Sequence, residues 1–122
     1  MKYTRVFSGD KGESHFEDVV AEFSSVAFAP PATPLDITPF ESASRYGFLR
    51  APAGWYGDWH PAPQRQILCY LAGEIEAETS DGEVRRFGAG SITLVDDISG
   101  KGHRSRVIGS ESVLAKVVPF EE

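Results

Sequence analysis

Short runs in which apolar and polar residues alternate recur along most of this chain, and turn-forming residues separate them. Alternation with a period of two is typical of β-strands that bury one face. Twelve glycines and eight prolines interrupt these runs and do not cap long amphipathic stretches. The sequence therefore predicts an all-β sandwich or barrel with little helix. The predicted strands cover residues 3–7, 46–51, 64–71, 74–79, 84–87, 91–95, 104–108 and 113–120.

Two segments in the first third of the chain are less regular. Within 15–28 the apolar residues fit a helical stripe as well as a strand, and we favour the strand. Residues 29–41 contain four prolines, which lack an N–H group and therefore favour an extended connector or a sheet edge that wraps the body. At 122 residues the chain is long enough for one domain. We expect residues 1–45 to pack as N-terminal strands and connector on a barrel formed by 46–122.

One turn is specified by its residues. Asp81 and Gly82 lie between two predicted strands, and both residue types tolerate the positive φ that a tight hairpin turn needs. The sequence therefore predicts a hairpin that joins 74–79 to 84–87. Gly88 and Gly90 predict a sharp corner before the next strand.

Composition and charge narrow the classes of function. The net charge of −6 disfavours nucleic acid and anionic membranes as primary partners, and a small organic ligand is the better expectation. The single cysteine, Cys69, excludes an internal disulfide, and no apolar leader or membrane-length run is present, so we expect a cytoplasmic protein. The absence of a phosphate-binding glycine loop predicts no nucleotide cofactor.

The residues around His60 carry a family resemblance. Gly54, His60, Gln66 and Gly73 have the spacing of the first cupin motif, which is a glycine, five residues, His-x-His, three residues, Glu, six residues and a glycine. The chain departs from that motif at Ala62, where the second histidine would stand, and at Gln66, where the glutamate would stand. In these positions the chain resembles the cupin superfamily, as a small single-domain member with a degenerate metal-ligand motif.

The second cupin motif is matched more loosely. It consists of a glycine, five residues, Pro-x-Gly, two residues and a histidine. Gly90, Gly100 and His103 follow this order if two extra residues are allowed, and Asp96 stands at the proline position. The resemblance implies a cupin-type double-stranded β-helix, also called a jelly-roll barrel, with His60 and His103 directed into it.

The resemblance also implies a binding site inside the barrel. Residues two apart on a strand share a face, so His60 and Gln66 would face inward together unless Pro61 and Pro63 introduce a bulge. With His103 they would form a three-ligand site for zinc, nickel or iron. Such a protein would bind a small organic molecule and act as a metal-dependent lyase, isomerase or oxygenase. The alternative is a non-catalytic ligand-binding or sensing domain that has lost the metal.

Other side chains are candidates for roles around this site. Tyr70 and Asp58 are candidate catalytic groups that would handle protons. Candidate ligand-binding residues are aromatic, amide or cationic, namely Trp55, Trp59, Gln64 and Arg104. Arg104 has the alternative of a solvated strand face. Asp96 and Asp97 end a strand near His103, where they could assist the site or act as turn residues that accept backbone N–H bonds. We also expect a homodimer, through an apolar outer strand face formed by Ile67, Cys69 and Leu71.

Overall fold

The computed structural model describes residues 1–121, which form strands, turns and one short 3₁₀ turn at Asp10–Gly12. No helix in this part of the chain has the length and apolar character that a membrane crossing needs. The strands, in chain order, are β1 (Lys2–Ser8), β2 (Ser14–Val20), β3 (Ser24–Val26), β4 (Leu35–Ile37), β5 (Gly47–Ala51), β6 (Tyr56–His60), β7 (Gln66–Ala72), β8 (Glu74–Thr79), β9 (Val84–Phe87), β10 (Ile92–Asp96), β11 (His103–Ile108) and β12 (Val113–Pro119).

The strands form two facing sheets and a separate hairpin. The larger sheet has the order β2-β1-β10-β7-β12-β5, and the smaller one has the order β6-β11-β8-β9. Consecutive strands from β5 to β8 alternate between the sheets, and so do those from β9 to β12. This strand order is that of an eight-stranded jelly roll. β1 and β2 extend the larger sheet beyond β10, and β1 runs parallel to β10.

The core lies between the two sheets, because alternate residues of their strands point inward and most of these inward residues are apolar. On β12 the inward residues Val113 and Ala115 are fully buried, whereas Leu114 between them is half-buried. The aromatic rings of Tyr70 and Phe87 stack across the core with centroids 5.9 Å apart. Burial of such side chains is the main favourable term in the folding of the barrel. The buried cluster consists of Val6, Phe16, Ala51, Tyr70, Ile75, Phe87, Val107, Val113 and Ala115.

The corner between β7 and β8 requires a glycine. Gly73 has a φ of +76°, and a Cβ at this position would lie 2.5 Å from the carbonyl oxygen of Ser112. Only a residue without a side chain permits this close approach. The chain therefore passes directly from the larger sheet to the smaller one, as the jelly roll requires.

Most of the expected strands are confirmed, with shifts of one or two residues at their ends. The hairpin turn between β8 and β9 is confirmed, and Gly82 there has a φ of +93°. The strand interpretation of 15–28 is confirmed as β2 and β3. β1 and β2 join the larger sheet, as expected of N-terminal strands.

Two expectations differ from the structure. Residues 64 and 65 precede β7, and the strand β6 at Tyr56–His60 was not predicted. The proline-rich connector was expected to wrap the body, but it folds back as β4 of a hairpin with β3, and every residue from 22 to 36 is exposed. Four prolines prevent it from joining a larger sheet.

Candidate functional site

A cavity of about 240 Å³ lies between the two sheets. Its walls are mostly apolar, with side chains such as Leu68, Ile75 and Val95. The polar side chains that face it belong to alternate residues of the inward strands, namely His60, Gln66, Tyr70, Thr93, His103 and Ser105. An apolar cavity with a few polar groups is the usual form of a small-molecule site.

Two histidines face each other at one end of this cavity. His60 ends β6 and His103 begins β11, and these two residues are directly opposite in the sheet. Their ring centroids are 4.7 Å apart. His60 is exposed, whereas the His103 side chain is only 15% exposed. The pair therefore lies where the cavity opens to solvent.

Each histidine has one ring nitrogen engaged by a fixed acceptor. Nδ1 of His60 lies 2.6 Å from the carbonyl oxygen of Asp58, and Nδ1 of His103 lies 2.6 Å from Oδ2 of Asp97. Because a carbonyl and a carboxylate only accept hydrogen bonds, both Nδ1 atoms carry a proton. In the neutral rings, the Nε2 atoms then have free lone pairs. This arrangement orients the rings as the outer partners of metal-bound histidines do.

The carboxylate of Asp97 is fully buried. Oδ2 accepts the bond from His103, while Oδ1 has no hydrogen-bond partner among the described residues. The backbone carbonyl of Asp97 accepts a bond from the N–H of Ala62 at 2.9 Å, which ties the end of β10 to the segment that follows His60. Asp97 thus connects the two histidine-bearing parts of the chain.

A glycine brings the two histidines together. A Cβ on Gly102 would lie 2.0 Å from the carbonyl oxygen of His60 and 2.3 Å from the nitrogen of Pro61. Gly102 also has a φ of +72°, which side chains rarely tolerate. The close contact between the start of β11 and the end of β6 therefore depends on this residue.

Comparison with known proteins shows similarity to solved structures alone. No family model matches the chain, and no curated protein matches it. The cupin domain of Schizosaccharomyces pombe Cnp3 shares 19% identity, with 88% of this chain and 73% of that chain covered and a TM-score of 0.47. A Salmonella typhimurium protein named as an ethanolamine utilization protein Q shares 17% identity over 98% and 95% of the two chains, with a TM-score of 0.40. Protein NMB1881 of Neisseria meningitidis shares 13% identity over 62% and 72%, with a TM-score of 0.45.

The chain's own strand order decides the type of fold. Eight strands alternate between two sheets as a jelly roll, which is the architecture of cupins, and the histidines of both motif segments face its interior. The chain has a jelly-roll fold, the fold that cupins have. The fold by itself does not assign a reaction, since one barrel supports unrelated chemistries.

Gln66 and Tyr70 both line the cavity, at different depths. Gln66 starts β7 at the end where the histidines lie, and Tyr70 is four residues further along, roughly 13 Å at the rise of a strand. Tyr70 is buried, and its hydroxyl lies 3.5 Å from Oγ1 of Thr93. Burial raises the pKa of Tyr70, so its phenol stays protonated at neutral pH. It is available as a hydrogen-bond donor and not as a base.

His60 and Gln66 do not share one strand, contrary to the expectation from their spacing. β6 ends at His60, the chain turns through Pro61 and Pro63, and Gln66 begins a strand of the other sheet. The two side chains still reach the same cavity, from opposite walls. The prolines interrupt the strand, which is the alternative that the sequence left open, so the two residues line one cavity without sharing a strand face.

Of the remaining candidates, Trp55 lines the cavity and packs against Gly57, where a Cβ would lie 2.5 Å from the indole ring. The other four candidates, Asp58, Trp59, Gln64 and Arg104, lie outside the cavity lining. The Asp58 carboxylate accepts bonds from the Trp59 N–H at 2.8 Å and the Tyr56 hydroxyl at 3.2 Å, so the aspartate reaches His60 through its backbone carbonyl.

Three of those four side chains are engaged on the outer surface. The Arg104 guanidinium lies 5.0 Å from the Trp59 ring and 2.8 Å from the Glu78 carboxylate, which agrees with the solvated-face alternative. Gln64 precedes β7, accepts a bond from Arg45 at 2.8 Å and donates to the carbonyl of Phe120. Parity explains the place of Arg104, since it alternates with the inward residues of β11.

The donors in this cavity do not match the expected metal. Within residues 1–121, no three His, Cys, Asp or Glu side chains gather as a metal cluster. A catalytic transition-metal site takes three protein ligands, and the third donor here would be the amide oxygen of Gln66. A neutral amide is a weak ligand for zinc, nickel or iron. The residues present do not fit a tightly bound catalytic metal, and the three-ligand site of His60, Gln66 and His103 stays a prediction.

The role of Asp97 at the site was not resolved by the sequence. Asp96 and Asp97 both end a strand, and turn chemistry was the simpler interpretation. The structure separates them, because Asp96 accepts bonds from Arg5 of the neighbouring strand β1 while Asp97 turns inward to His103. The available signal was an aspartate six residues before a candidate ligand histidine, which does not specify a contact by itself.

Proposed function

We propose that this cupin domain binds a small, largely apolar organic molecule in the barrel and holds one polar group of that molecule at His60 and His103. The observation that supports this is the pair of fixed Nδ1 contacts, which leaves two Nε2 acceptors at the open end of a mostly apolar cavity. A ligand with an O–H or N–H group satisfies such acceptors. Its apolar part replaces water along the walls.

The lining limits the charge of the ligand. Neither Asp nor Glu lines the cavity among the described residues, and the one strongly basic residue in the lining, Arg50, alternates with the inward residues Leu49 and Ala51 on β5. Its side chain is therefore on the outer face of the sheet. A neutral molecule with a single donor fits this interior better than an ion, because an unpaired charge in an apolar cavity is costly.

Phenol and toluene test this proposal as a matched pair of probes, since they differ mainly in one hydroxyl. Binding is measured by ¹H–¹⁵N chemical-shift titration of the folded domain. We expect phenol to shift the amides of Gln66, His103 and Ser105. Because phenol has one O–H to donate, replacement of the histidine that accepts it, in His60→Phe or in His103→Phe, should weaken phenol binding by roughly threefold to tenfold, the value of one hydrogen bond, and leave toluene within about twofold.

His15→Phe is the matched control. His15 is bonded to Asp81 on the surface and does not line the cavity, so this change should affect neither probe. If phenol shifts no cavity amide at concentrations at which it leaves the fold intact, the cavity is not a binding site for such molecules. If His60→Phe and His103→Phe leave the difference between phenol and toluene unchanged, the histidines do not hold the polar group.

A further inference from the structure

The segment between β2 and β5, residues 21–46, is an arm that leaves its apolar side chains in solvent. Its hairpin β3–β4 pairs with neither of the two large sheets. The rings of Phe28 and Phe40 contact each other edge to face, with centroids 6.0 Å apart. Phe40 is nevertheless 76% exposed. The chain itself does not bury these aromatic side chains. Exposed apolar patches of this kind commonly bind another molecule.

The arm continues directly into an unpaired sheet edge. β5 is the last strand of the larger sheet, and it pairs with β12 on one side alone. Its sequence has neither proline nor lysine, the residues that commonly protect such edges, and Phe48 on it is 64% exposed. The ring of Phe48 contacts Tyr46 at the end of the arm, with centroids 6.1 Å apart. Tyr46 thus joins the arm to the outer face of β5, and the exposed apolar side chains of both form an apolar surface.

The size of this surface matches one side of a stable dimer. If a fully exposed aromatic side chain presents roughly 200 Å², the surface exposes on the order of 800 Å² of large apolar side chains, about the area that each partner buries in a standard interface. The side chains concerned are Phe23, Val26, Phe28, Leu35, Phe40, Tyr46 and Phe48.

Charge along the chain favours a second copy as the occupant. No lysine or arginine occurs between Gly12 and Arg45, and the arm carries Glu22, Asp36 and Glu41 against Arg45 alone. β5 carries Arg50, which forms no ion pair within residues 1–121. An acidic arm of one copy therefore complements the basic edge of another. In a two-fold dimer this contact occurs twice, since the same surface serves both subunits.

We propose that two copies of this chain form a symmetric dimer in which the arm of each, residues 21–46, packs against β5 of the other. The proposal is independent of the identity of the ligand. It places the interface at the arm and the β5 edge, and not at the face formed by Ile67, Cys69 and Leu71. Leu49, on the inward face of β5, is part of the cavity wall, so the partner lies against a strand that lines the cavity.

Sedimentation equilibrium across protein concentrations tests the dimer. The parent should sediment at twice its monomer mass of 13.3 kDa. Phe40→Glu on the arm and Phe48→Glu on β5 should each raise the dimer dissociation constant at least tenfold. Val84→Glu is the matched control, because Val84 is an exposed apolar residue on β9, the edge strand of the other sheet. It should remain dimeric, and circular dichroism checks that each variant retains its strands.

Hydrogen exchange locates the interface independently of the variants. In the parent dimer, the amides of β5 should exchange at least tenfold more slowly than in Phe40→Glu. A parent that stays monomeric up to hundreds of micromolar overturns the proposal and points to a different partner for the arm. Dissociation by Leu71→Glu but not by Phe40→Glu or Phe48→Glu also overturns it, and assigns the interface to the outer face of β7. A dimer that resists all of these changes overturns it as well.

Discussion

Oδ2 of Asp97 lies 2.6 Å from Nδ1 of His103, and no solvent reaches the carboxylate. This contact fixes the direction of the His103 ring and the nitrogen that carries its proton. The pair spans only six residues in sequence, and the turn after β10 places both side chains at the same end of the barrel.

Asp97→Ala removes the acceptor of His103 Nδ1. We expect a loss of roughly 1–3 kcal/mol in the free energy of unfolding, the cost of a buried donor left without its partner. We also expect the neutral His103 ring to populate both tautomers, seen as a change in its imidazole ¹⁵N shifts. Asp97→Asn keeps an acceptor oxygen, so it should retain the Nδ1–H tautomer of the parent. If Asp97→Ala leaves the ¹⁵N shifts of His103 as they are in the parent, another group orients the ring.

Gly102→Ala tests the contact that brings the histidines together. The left-handed backbone alone costs about 1–2 kcal/mol with a side chain. The contact with His60 should add to that cost. Gly109→Ala is the matched control, because Gly109 has a φ of +79° and a Cβ added there would meet no atom within 4 Å. Thermal denaturation should show a larger loss for Gly102→Ala, and phenol binding should weaken in that variant alone. Equal losses in the two variants would mean that the chain relaxes around the contact.

Gln66→Glu tests the geometry of the predicted metal site. If Gln66 lies within ligand reach of both histidines, a carboxylate there supplies the missing strong donor, and zinc should bind at least tenfold more tightly than to the parent. Isothermal titration with zinc chloride measures the change. Gln64→Glu is the control, because Gln64 lies outside the cavity and should not alter zinc affinity. Zinc affinity that is the same for Gln66→Glu and the parent would show that the three side chains do not converge.

The buried phenol of Tyr70 predicts alkaline sensitivity. Burial raises its pKa in the folded state, whereas a tyrosine in the unfolded chain titrates at about pH 10. Above that pH, the tyrosine loses its proton in the unfolded state first, so the free energy of unfolding falls as the pH rises. Below that pH, the tyrosine is protonated in both states and has no effect on the free energy of unfolding. Urea denaturation from about pH 9 to pH 11 should show this fall, as expected from the unfolded value.

Two variants separate Tyr70 from the other tyrosines. Tyr70→Phe should reduce the alkaline loss of stability, and Tyr46→Phe should not, because Tyr46 is 67% exposed. An alkaline loss of the same size in Tyr70→Phe and in the parent would attribute the effect to other groups.

The sequence determined the class of fold because the signals that define strands and turns lie within a few neighbouring residues. Alternation with a period of two fixes which residues of a strand share a face, and glycine or Asp-Gly fixes where strands end, as at Gly73 and Gly82. These signals predicted most strands, while the resemblance to cupins implied the inward direction of His60 and His103. They need no knowledge of which strands are neighbours.

The tertiary structure alone decided which of these residues meet. Sheet partners are separated by tens of residues, as when His103 of β11 lies opposite His60 of β6, and no local pattern encodes such a register. The burial of Asp97 likewise depends on distant contacts, among them the bond from Ala62. Parity also fails across the prolines between β6 and β7. The sequence therefore specified the barrel and its candidate ligands, while long-range packing selected Asp97 and placed Asp58 and Gln64 outside the cavity.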